Sequence, residues 1–95
     1  MSKTPQLGGK ITTSHGTTTE ASAAVVDFAA RLDDVTKISL GEIRHVPGGR
    51  RDIKFLPING GIKAVVRGGG AVQHLYIYTK NPDAAERRIG DNFRG

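Results

Sequence analysis

Two tyrosines, Tyr76 and Tyr78, alternate with Leu75 and Ile77 in the run Val72 to Thr79. In an extended strand, that alternation sends the rings to one side and the aliphatic chains to the other. Rings on an open sheet face can stack nucleic-acid bases while neighbouring cations hold phosphates, and each stacked base contributes about 1–3 kcal/mol. The cations are at hand. Lys54, Lys63 and Arg67 alternate outward with His74 on the same expected face, and Arg44, Arg50 and Arg51 extend the positive charge along an adjoining hairpin. The same pattern also fits a packing surface. Tyrosine favours strands for steric reasons alone, and such a face can be covered by another protein or by a second copy in a homodimer.

Charge placement fits the first reading, and basic residues that simply solvate the open face of a small sheet account for that placement as well. Residues 1–33 hold Lys3, Lys10 and Arg31 against Glu20, Asp27 and Asp33, and residues 81–95 hold Arg87, Arg88 and Arg94 against Asp83, Glu86 and Asp91. Both segments are neutral, so the whole formal excess of +5 falls in residues 34–80. A cationic stretch that also reads as sheet is the footprint of a surface for phosphate-rich partners.

Three other sets of residues carry chemical potential. Arg67-Gly68-Gly69-Gly70-Ala71 exposes backbone N–H groups that can approach a phosphate, but no Lys-Ser/Thr follows it, and a plain wide turn or bulge accounts for it as well. Ser14-His15-Gly16-Thr17-Thr18-Thr19-Glu20 places an imidazole and hydroxyls before a helix start, where an anion or an ordinary cap is equally served. His15, His45 and His74 are the candidate ligands of a histidine-based metal site for zinc or another divalent transition metal. They come from separate elements at no recognisable metal-pair spacing, so spacing alone favours a chain with no cofactor. Ser14, Ser22 and Ser39 lack a nucleophile context and the acids are scattered, which argues against an enzyme.

The elements that must position these groups fit one domain. A 95-residue chain supports a single two-layer core. With no cysteine, thiolate metal sites and disulfides are excluded. No apolar run approaches the ~20 residues of a membrane span and no secretory signal is visible, so the expected location is cytoplasmic. Residues 1–8 read as a mobile arm, followed by a short strand at Lys10 to Thr13. Thr17 and Glu20 fit a capping box for a helix over 18–33, with Ala21, Val25, Phe28 and Leu32 as its apolar stripe.

Period two then takes over. Strands are expected near 36–46, with a bulge at Gly41 that rephases Ile43, then at 53–56, 62–67 and 71–79, separated by Pro47-Gly48-Gly49-Arg50, Asn59-Gly60-Gly61 and the glycine triplet. Asn81 and Pro82 open a short second helix that Gly90 closes, leaving 91–95 mobile. The expected fold is α+β: one main helix on a four- or five-stranded, largely antiparallel sheet, with a short C-terminal helix.

Two stretches, Gly8-Gly9-Lys10 through Thr17 and Gly60-Gly61-Ile62 through Thr79, resemble a small prokaryotic family labelled as predicted metal-binding proteins, over about residues 8–80. The resemblance matches His15 to the family's histidine followed by hydroxyl residues, and Arg67 to Gln73 to its glycine-containing loop. It implies metal binding but no established activity. From the residues themselves, the expectation is a non-catalytic nucleic-acid-binding module, RNA ahead of DNA. Its contacts are Arg44, Arg50, Arg51, Lys54, Lys63, Arg67, His74, Tyr76 and Tyr78. A histidine metal protein and a protein-interaction module are the competing readings.

Overall fold

The computed structural model describes residues 12–13 and 17–95 of the chain. The expected N-terminal arm and His15 lie outside the described residues. Seven elements follow in order: β1 (Thr12–Thr13), α1 (Glu20–Ala29), β2 (Val35–His45), β3 (Asp52–Ile58), β4 (Gly61–Gly68), β5 (Ala71–Thr79) and α2 (Pro82–Arg94). They form one five-stranded sheet in the order β1-β2-β5-β4-β3, in which β1 runs parallel to β2 and the other four strands are antiparallel. Both helices contribute to the core against one face, giving the expected α+β domain. Among the described residues, no helix is long and apolar enough to cross a membrane.

Alternation decides which face is covered. Along β5, Ala71, Gln73, Leu75, Ile77 and Thr79 are buried, while Val72, His74, Tyr76 and Tyr78 keep partial exposure. Leu75 stands opposite Leu40 and Ala64, and Ile77 opposite Ile38 and Ile62, so aliphatic side chains meet across three adjacent strands. Val25 and Ala29 of α1 and Ala85, Ile89 and Phe93 of α2 close the layer above them. The apolar stripe of α2 recurs every fourth residue, as a helix packed along one side requires.

Local chemistry moved several boundaries from their expected places. The N-cap of α1 is Thr19, not Thr17: the Ser22 N–H donates to Thr19 Oγ1 at 2.9 Å and the Thr19 N–H donates to Ser22 Oγ at 2.8 Å. Glu20 is therefore the first helical residue rather than the reciprocal partner of the cap. The helix also stops at Ala29, and Leu32 is buried in the turn that follows. Gly90 does not end α2, which continues to Arg94 with Phe93 only 4% exposed, so 91–94 belong to the helix. A helical glycine costs about 1 kcal/mol relative to alanine, less than burying an aromatic side chain one turn further on returns.

The glycine triplet forms no wide loop. Gly69 and Gly70 alone connect β4 to β5, with φ of +64° and +79°, the doubly left-handed conformation of a two-residue hairpin. Gly68 belongs to β4 and is buried; a Cβ there would lie 2.9 Å from the Ala21 Cβ. Turn geometry and helix approach thus account for all three residues.

Candidate nucleic-acid interface

The open face is an ordered grid, because directly paired residues of an antiparallel sheet project to the same side. Tyr76 has Ser39 of β2 on one flank and Lys63 of β4 on the other, and Leu56 of β3 lies beyond Lys63. Tyr78 is paired with Lys37 and Gly61, His74 with Val65, and Val72 with Arg44 and Arg67. Lys54 and Asp52 of β3 complete the grid opposite Val65 and Arg67. The fold therefore brings Arg44, Lys54, Lys63, Arg67, His74, Tyr76 and Tyr78 onto one surface. It adds Lys37, Ser39 and Leu56, which sequence reasoning had not placed in the site. The signal for Lys37 and Ser39 was present, since they alternate with the core residues Ile38 and Leu40.

The two tyrosines differ in their surroundings. The Lys37 ammonium lies 5.5 Å from the centre of the Tyr78 ring, within cation–π range. A Cβ added at Gly60 would touch the Tyr78 ring at 3.6 Å, so this side chain also covers the hairpin turn. No such cation or turn contact engages the Tyr76 ring among the described residues. Among those residues the one ion pair is Arg31 with Asp27 on α1, at 3.0 Å. Lys37, Arg44, Lys54, Lys63 and Arg67 consequently present charge that no described carboxylate neutralises within ion-pair distance.

Arg51 is elsewhere. Its guanidinium donates to the Phe93 carbonyl at 3.0 Å and stacks 4.1 Å from the Phe93 ring centre, binding the last turn of α2 on the covered side of the sheet. A cation at a helix C-terminus is favoured there by the exposed carbonyls. Arg51 is thus a structural clamp, and its expected place on the open face beside the other cations is corrected. Arg50 is exposed in the connection between β2 and β3, outside the grid.

The buried polar centre is Gln73, only 1% exposed on the helix-covered face. Its Nε2 donates to the Gly41 carbonyl at 2.7 Å and to the Thr17 carbonyl at 3.0 Å, while its Oε1 accepts from Ser22 Oγ at 2.6 Å. One side chain thus joins β5, the β2 bulge, the first turn of α1 and the segment leading into it. The Ser22 hydroxyl serves both this bond and the Thr19 cap. At the bulge, a Cβ on Gly41 would lie 2.8 Å from the His74 carbonyl oxygen, so close strand approach requires glycine there. A separate cleft of about 700 Å³ beside the β3–β4 turn, lined by Thr36, Pro57, Lys80, Asp83 and Glu86 among others, contains none of the expected site residues.

His45 and His74, the two histidines among the described residues, do not converge. The register shift between Leu40 and Ile43 sets Ile43 opposite Gln73 and His45 opposite Ala71, which turns His45 toward the helix side, while His74 points to the open side. Among the described residues, no group of three His, Asp or Glu side chains is placed to hold a metal ion.

No curated protein and no solved structure matches the chain. A family model described as predicted metal-binding protein (DUF2103) matches residues 6–92, wider than the resemblance over about 8–80 and with the same label. That description overturns the expectation of a chain with no cofactor. The described residues by themselves do not fit a metal, and His15, the histidine that the resemblance singled out, lies outside them. With nearly its whole length under one family model, the chain belongs to this family of predicted metal-binding proteins.

Proposed function

We propose that this protein is a non-catalytic, cytoplasmic nucleic-acid-binding module, RNA ahead of DNA, whose contact surface is the open sheet face. The observation that supports the reading is the grid itself: Tyr76 is flanked by Lys63, with Lys37, Arg44, Lys54 and Arg67 around it and no described ion pair neutralising them. Aromatic rings supply sequence-tolerant stacking and the cations supply phosphate neutralisation. Titration against single-stranded and duplex RNA and DNA at two salt concentrations tests it. Affinity should fall with salt at a slope of roughly −0.7 to −0.9 in log–log terms per phosphate neutralised, and a Lys63→Gln, Arg67→Gln double variant should flatten that slope. Absence of binding at low salt overturns the proposal.

The family description favours a second reading, a histidine-based metal site containing His15. Since His45 and His74 project to opposite sheet faces, a single site takes at most one of them. Elemental analysis of the purified protein and of the His15→Ala, His45→Ala and His74→Ala variants tests this. A stoichiometric metal lost with His15 and unaffected by one of the other two substitutions supports the metal reading. A metal content indifferent to His15 removes it.

A further inference from the structure

The β5 row does more than carry two rings. Tyr78, Tyr76 and His74 are alternate residues on one face, so their π systems recur at about 6.6–6.8 Å, twice the rise per residue of a strand. Each strand of a duplex repeats at about 3.4 Å, half that interval. A stacked helix cannot offer consecutive bases to consecutive rings at this spacing; a strand drawn out with its bases separated can. Lys63 and Arg67 run beside the row on β4, one opposite Tyr76 and the other opposite Val72. On the β2 side, the Ser39 hydroxyl is next to Tyr76 and has no hydrogen-bond partner among the described residues.

Building on the nucleic-acid reading, we propose that the row Tyr78, Tyr76 and His74 seats three consecutive bases of an extended, single-stranded RNA, with phosphates along Lys63 and Arg67 and the Ser39 hydroxyl available to a ribose 2′-OH. Histidine belongs to the side chains on which unstacked RNA bases are laid, and the 2′-OH is the group that separates RNA from DNA at a given position. Tyr76 is the anchor of the three, because its ring is free of the cation that covers Tyr78. A base reaching Tyr78 must first displace the Lys37 ammonium, which can then move to a phosphate.

The probes are labelled hexamers of uridine and of thymidine and a blunt RNA duplex, each titrated by fluorescence anisotropy at low salt. Circular dichroism melting checks that every variant is folded. The uridine hexamer should bind at least about tenfold more tightly than the duplex. Tyr76→Ala should weaken hexamer binding by about 5- to 150-fold, the range that one stacked base supplies, with little change for the duplex. Ser39→Ala should narrow the gap between uridine and thymidine hexamers, and Lys63→Gln should weaken all probes alike.

Equal binding of duplex and hexamer, or an unchanged ratio in Tyr76→Ala, overturns the extended-strand inference while leaving a general polyanion surface standing. Equal binding of the two hexamers overturns the RNA assignment. If none of the three probes binds at low salt, the nucleic-acid reading and this inference fall together.

Discussion

The two faces of β5 are built from interleaved residues of one nine-residue strand, yet they obey different rules. On the covered face, Leu75 and Ile77 are 0% exposed and locked against aliphatic partners from β2, β4 and both helices. On the open face, Tyr76 and Tyr78 have charged or small partners and keep one side toward solvent. Substitution on the first face leaves a cavity or an unpaired polar group; substitution on the second removes surface that water can replace. Stability is concentrated on one face and the proposed recognition on the other, so the two properties should separate under mutation.

The largest effect should come from Leu75→Ala. Removing a fully buried leucine costs about 2–5 kcal/mol, measurable by denaturant unfolding, and the fraction that remains folded should bind its ligand with unchanged affinity. Lost affinity in that folded fraction would break the separation of the faces. Gln73→Leu should follow. It removes the donor shared by the Gly41 and Thr17 carbonyls and the acceptor for Ser22, and buried groups left unpaired cost about 1–3 kcal/mol. Unchanged melting would show that water takes over those bonds.

Arg51→Gln should be milder, about 1–2 kcal/mol, through the lost contacts with the Phe93 carbonyl and ring. It should leave the salt dependence of ligand binding untouched, whereas a flattened salt slope would return Arg51 to the recognition surface. Tyr76→Ala should have the smallest effect on stability, under about 1 kcal/mol, as expected for a surface substitution away from caps and buried networks. Unfolding by this substitution would show that the open face is a second core.

Much of this division was legible in the chain before folding. Within Val72 to Thr79, Leu75 and Ile77 alternate with His74, Tyr76 and Tyr78, so the covered face of β5 follows from period two. Gly41 marked the bulge for a similar reason. The parts that were not legible depend on partners remote in sequence. Arg51 looked like its neighbour Arg50 until Phe93, 42 positions away, appeared beneath it. Ser22 was named only as a serine without a nucleophile context, but its hydroxyl bonds Gln73, 51 positions away, and completes the Thr19 cap that starts the helix. The opposite orientations of His45 and His74 were implicit in the same bulge that rephases Ile43, and only the strand pairing carries that phase shift through to His45. Gly90 misled because its local signal for ending a helix was outweighed by the burial of Phe93.

The strand order has a consequence for how the molecule assembles. The hairpins β3–β4 and β4–β5 close over two-residue turns, so this meander can form from contacts nearly adjacent in the chain. β2 must then dock on the far side of β5 rather than beside β3, closing a loop that contains the whole of β3 and β4. Closing that larger loop costs more chain entropy, and non-local pairing slows folding. The meander is thus the natural nucleus and the arrival of β2 the late event. In refolding kinetics, Ala64→Gly on β4 should slow folding, while Ile38→Val on β2 should chiefly speed unfolding; the reverse pattern would place β2 in the nucleus.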